Sequence, residues 1–157
     1  MVVPSYQKEI QHIGQDMERL STALPKVSES YSKAQGAAAE LKKAVEKGPK
    51  TGPPTFGPYK AASKAEEKAA HYGIAVNEMN DMLDSLKKVE DALKNGPLSK
   101  ERAVPLVVDL NILKSIADKA PVSDVSAVYK KVKEDVAELR ERLVADFKVT
   151  KKEIAQY

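Results

Sequence analysis

From Ile10 to Val45 the apolar residues step three, four, three, four without a miss: Ile10, Ile13, Met17, Leu20, Leu24, Val27, Tyr31, Ala34, Ala38, Leu41 and Val45. That alternation is the seam of a helix lying along another helix, and a strand cannot use it. A second run keeps the same spacing through Ala62, Ala65, Ala69, Tyr72, Val76, Met79, Leu83 and Leu86, with Val89 and Leu93 extending the apolar face. The spacing predicts a helix from Pro58 to Lys94, ended by "NGP" at 95–97. Such a helix is roughly 55 Å long at 1.5 Å per residue. Gly73 weakens its middle by about 1 kcal/mol and marks a close helix contact or a bend.

Pro25 interrupts the first run in "TALPKVS". Two arrangements fit: two helices, about 5–23 and 27–47, meeting at a turn, or one long helix bent at the proline. The unbroken register favours the second, because a true turn has no need to keep phase. Ser5, after Pro4, is the expected N-cap. Serines at 99 and 123 read as caps for later helices.

The segment "VPLVVDLNILKSIADKAP" carries apolar residues on more than one face, so it is expected to be buried on several sides or to present a binding face. Pro105 is expected in its first turn and Pro121 closes it. A last helix is expected from Ser123 to about Ile154, with Val125, Val128, Val132, Val136, Leu139, Leu143 and Phe147 inward. The expected fold is all-α: an elongated antiparallel bundle of four helices, three long and one short and apolar, in a single domain over 1–157.

Composition agrees with packed helices. Aromatics make up 5%, tryptophan is absent, and residues that lose little freedom in a helix dominate. The 26 basic and 23 acidic side chains nearly cancel to +3, which argues against nucleic acid as a partner. Without cysteine there is no disulfide, thiolate metal site or thiol nucleophile, which suits a reducing cytoplasm. No stretch approaches a signal peptide or a membrane span.

Residues 47–60, "KGPKTGPPTFGPYK", hold four of the nine prolines, three of the seven glycines and one of the two phenylalanines. Residues 47–57 read as the turn between the two long helices, with Phe56 and Tyr59 at the tip among Lys47, Lys50 and Lys60. Basic residues around aromatic rings suit an acidic partner or an anionic membrane surface, although both rings can instead plug the bundle end.

Motifs for chemistry are missing. No nucleophile elbow, phosphate loop or dinucleotide fingerprint occurs. Glu9 and His12 share a helix face at a metal-ligand spacing, but Lys68 stands where a matching pair before His71 would need a carboxylate. Each one place before a seam residue, Ile10 or Ile13, Glu9 and His12 are expected to face solvent, and no metal or cofactor is expected. Glu78, Asp81 and Asp84 are assigned to a solvated face.

The expectation is therefore a non-enzymatic scaffold, adaptor or tether that binds helical protein partners along its long faces. The candidate contact residues are Phe56, Tyr59, Lys47, Lys50, Lys60, Val107, Val108 and Ile112. The alternatives are a peripheral lipid-binding protein and a subunit that assembles with copies of itself, at its simplest a homodimer.

Overall fold

The computed structural model describes residues 5–46 and 56–157, the side chains of 56–59 excepted. The chain runs through α1 (Gln7–Glu46), α2 (Phe56–Lys94), α3 (Lys100–Ala117), a short 3-10 turn (Ser123–Val125), α4 (Ser126–Phe147) and α5 (Lys151–Ala155). Among the described residues there is no strand. The fold is the all-α helical bundle that the periodicity predicts.

Pro25 lies inside α1, so the long-helix alternative holds. It sits on the exposed face, and Ser21, whose carbonyl loses its donor to the proline, is exposed too. Water can satisfy that carbonyl, which lowers the usual penalty. The first helical bond runs from Ile10 N to Tyr6 O (2.8 Å), which makes Tyr6 rather than Ser5 the capping residue.

Ser99 caps α3 as expected, accepting from Arg102 N. Pro105 is consequently the sixth residue of α3, a turn later than anticipated. Arg102 also closes the end of α2: its guanidinium donates to the carbonyls of Ala92 (2.8 Å), Pro97 (3.1 Å) and Asn95 (3.2 Å). Those of Ala92 and Asn95 are carbonyls that a helix terminus leaves without an internal donor. Gly96, at φ 91°, makes the left-handed turn between Asn95 and Pro97.

The last helix does not run from Ser123 to Ile154. Residues Ser123–Val125 form the 3-10 turn, and α4 stops at Phe147. Lys148 takes a left-handed conformation at φ 52°, ψ 46°, which ends the helix. Thr150 then opens α5 through a reciprocal capping box with Glu153, and Lys100 pairs with Glu153 at 3.0 Å to fasten α5 to the start of α3.

In space α1 packs on α2, α2 on α3, α3 on α4, and α4 back on α1. The common core holds Ile13, Leu20, Met79, Met82, Leu86, Leu110, Leu113, Val132, Val136, Leu139 and Leu143, all essentially inaccessible. Tyrosines pin the helices: Tyr129 donates to Glu78 (3.1 Å), and Tyr72 donates to Asp124 (3.0 Å). Lys133 pairs with Asp118 and Arg140 bonds Asn111, which ties α4 to α3 and the turn after it.

The helices differ in length: α1 and α2 have 40 and 39 residues, α3 and α4 have 18 and 22. At 1.5 Å per residue the first pair is roughly twice as long as the second. The bond from Tyr72 to Asp124 marks where α3 and α4 give out. Beyond it, the later part of α1 and the opening part of α2 continue as a two-helix arm. Its inward residues are Ala34, Ala38, Ala62 and Ala69. Gly73 does mark a close helix contact, because Tyr31 of α1 lies directly over it.

Candidate functional site

The candidate contact residues named from sequence do not gather into one site. Lys60 is exposed near the start of α2. Lys47, Lys50 and the side chains of Phe56 and Tyr59 lie outside the described residues. Val107 is wholly buried and leaves the list, while Val108 is half-buried. The reason is that α3 is covered by α2, α4 and α5 together, so most of its apolar girth is core. Ile112 stays 53% exposed and stands apart from the arm.

The expectation that Glu9 and His12 face solvent is corrected. Glu9 is only 6% exposed and the His12 side chain 26%. In a pair of helices the positions beside the seam are wet, but α4 packs on that flank of α1 and encloses them.

What α4 encloses is a line of ionisable groups. Tyr6, Glu9, His12, Asp16 and Arg19 step by three or four along α1. Lys131, Asp135, Glu138, Arg142 and Asp146 do the same along α4 in the opposite direction. At one end Tyr6 donates to Asp146 Oδ2 (2.7 Å), and the Arg142 guanidinium lies 4.3 Å from the Tyr6 ring centre. Arg142 also pairs with Glu9 Oε2 (2.7 Å) and Asp146 (3.5 Å). Burial and the Asp146 carboxylate push the Tyr6 hydroxyl above the usual phenol range. At that end one guanidinium serves two carboxylates.

The middle of the line is less well matched. Asp16 is completely buried and Asp135 is 6% exposed. Their carboxyls face each other, and the Oδ2 of each has no hydrogen-bond partner among the described residues. Arg19 Nη1 holds the other oxygen of Asp16 at 2.7 Å. Burial, together with the Asp135 carboxylate, pushes Asp16 up to about 8 despite the opposing pull of Arg19. Two carboxylates in a dry setting cannot both ionise freely, so the pair retains a proton at neutral pH.

Around Asp135 the cations stand off. His12 Nδ1 is 3.9 Å and Lys131 Nζ 3.7 Å from its Oδ1, and Lys8 lies 3.7 Å from Glu138. Such distances give weak ion pairs rather than hydrogen bonds.

One end of this line, at Tyr6, opens on a recess. A cavity of about 340 Å³ at the bundle end is lined mainly by Leu93, Pro97, Leu98 and Phe147 beside Tyr6, without a reactive pair. Sequence reasoning missed the buried line because charged residues beside an apolar seam look solvated. The available signal was its own helical step on two different helices. Among the described residues, no helix is long and apolar enough to cross a membrane. No family model, curated protein or solved structure matches the chain.

Proposed function

We propose that the protein is a non-enzymatic helical adaptor that works in the cytoplasm and docks partner helices along its two-helix arm. One observation carries this. Within the block, α3 and α4 cover the α1/α2 pair, whereas in the arm the same pair continues with its flanks open. Exposed alanines, among them Ala37, Ala44, Ala61 and Ala70, lie on those flanks beside half-buried Tyr31, Leu41, Val45 and Ala65. Small side chains let a further helix approach closely, and half-buried apolar ones give it area to cover. A partner helix would do in the arm what α3 and α4 do in the block.

A shallow groove of about 310 Å³ between Ala34, Ala37, Ala65 and Lys68 offers one seat. The tip residues Lys47, Lys50, Phe56, Tyr59 and Lys60 would add a basic, aromatic end to the surface, and Ile112 of α3 a separate apolar contact. A chain without cysteine is suited to the reducing compartment where we place it.

The test combines scattering with capture. Size-exclusion chromatography with multi-angle scattering should show a monomer at every concentration. Capture from cell extract should recover a defined set of proteins that A37R fails to recover, with an unchanged circular-dichroism spectrum. Recovery of the same set by A37R would overturn the docking site. A mass that grows with concentration would point to self-assembly, and co-sedimentation with anionic vesicles to a lipid surface.

A further inference from the structure

We propose that the arm takes an acidic amphipathic helix of a partner protein on one flank only, in the groove between Lys33 of α1 and Lys68 of α2. This rests on the arm being a docking surface, and it adds the partner's chemistry and its side.

The groove has a floor of Ala34, Ala37 and Ala65. Among the described residues that line it, the charged ones are both cationic, Lys33 and Lys68. Helical stepping puts two more exposed cations on the same flank: Lys26, two turns before Lys33, and Lys64, one turn before Lys68. The carboxylates beside them are Glu29 and Glu40. Glu29 pairs with Lys33 at 3.1 Å, but the two side chains are 67% and 76% exposed, so a partner's acid can displace it.

The opposite flank has the other sign. Its groove, about 290 Å³, sets Glu46 and Glu66 against Lys42. An acidic helix is therefore drawn to the first side and turned away from the second, which fixes where it docks.

Two further features fit a helix rather than an extended acidic tail. The alanine floor lets a helix backbone come close. The groove is also continuous with the face that α3 and α4 cover, because Tyr72, which lines its block end, is held by Asp124 in the 3-10 turn before α4 (3.0 Å). From Ser30 to Glu46, α1 offers roughly 25 Å for a partner to lie along. The apolar stripe of that partner would cover the alanines, and its acids would meet the lysine heads at the rim.

The probes are two dye-labelled synthetic helices that share one leucine–alanine stripe, bordered by glutamates in one and by lysines in the other. Each is titrated with the full chain by fluorescence anisotropy, at low and at physiological salt. The glutamate helix should saturate a single site, bind about tenfold tighter than its lysine twin, and weaken as salt rises. K33E/K68E alters two exposed side chains and leaves the core intact, and it should reverse the order. K42E, on the other flank, should leave the order unchanged. Equal binding of the two helices, an order that survives K33E/K68E, or no saturation by the glutamate helix up to millimolar concentration overturns the proposal. Binding to anionic vesicles that K33E/K68E abolishes also overturns it, by putting a lipid surface in the groove. Capture from extract separates the partner's charge from the arm itself. A set of proteins lost by A37R but kept by K33E/K68E leaves the arm as the docking surface and overturns the acidic partner, whereas a set kept by A37R overturns both.

Discussion

The four-helix block and the two-helix arm are built from the same pair of helices with the same three–four spacing, yet they are held together differently. In the block the seam positions are Leu20, Met79, Leu86 and their neighbours, fully buried because α3 and α4 close over them. In the arm the buried seam positions are Ala34, Ala38, Ala62 and Ala69, which retain 7–9% exposure, while the larger Tyr31, Leu41 and Val45 stay half-buried. Alanine removes little apolar area from water, so each arm contact contributes a fraction of what a block leucine does. The spacing specifies that a helix has a partner. How deeply the residues at those positions are buried records how many partners it has.

The largest test of that difference is a pair of truncations. L139A leaves a cavity in a completely buried site and should cost about 3 kcal/mol. L41A, on a half-buried arm position, should cost about 1 kcal/mol or less. Urea unfolding followed by circular dichroism measures both. Equal losses would mean that the arm is as tightly packed as the block, and the comparison would fail.

The next largest effect concerns the block's own exception, the carboxyl pair in its interior. Asp16 holds its proton to about pH 8 in the folded chain, against 3.8 as its ordinary value. The folded state then binds more protons than the unfolded state between these limits, so this group's contribution to stability falls as pH rises from about 4 to about 8. The groups that face it are Asp135, which enforces the shift, and Arg19, which opposes it. In D16N the amide has no proton to lose. The melting temperature of D16N minus that of the parent should therefore climb through this window and level off above it. A difference that stays flat with pH would show that Asp16 ionises freely, and that the block has no buried charge penalty.

How much of this was legible follows from the same contrast. The three–four steps from Ile10 to Val45 carry the helical fold through Pro25, since the proline falls on a wet face. The "NGP" stop at 95–97 and the Ser99 cap are local signals, and they hold. The left-handed break at Lys148 was missed, because lysine is an unusual residue there. Its companion signal, the Thr150–Glu153 capping box, lay hidden inside a stretch that already looked helical. Val107 looked like a surface candidate only because an 18-residue apolar helix does not announce that three neighbours cover it. The burial of Glu9, Asp16 and Asp135 was the least readable feature. Period tells which residues share a face, but not that a fourth helix will close on the polar flank.

The smallest predicted effect sits where block gives way to arm. A Cβ placed on Gly73 would come within 2.8 Å of Tyr31 Cε2 and 3.2 Å of Cζ. Glycine thus lets α1 and α2 approach at the level of Tyr72, which is pinned to the 3-10 turn before α4. Alanine at 73 gains about 1 kcal/mol of helix propensity and loses part or all of it by displacing the Tyr31 ring. In the parent, G73A should leave stability within about 0.5 kcal/mol of its starting value. With Y31A already in place, the same substitution should stabilise by about 1 kcal/mol, because nothing then opposes the added methyl. The difference between the two backgrounds is the coupling across the junction. If G73A stabilises both backgrounds equally, the ring gives way at no cost, and the close approach of α1 and α2 there owes nothing to the glycine. A clear coupling would locate the boundary between the two regions at a single residue pair.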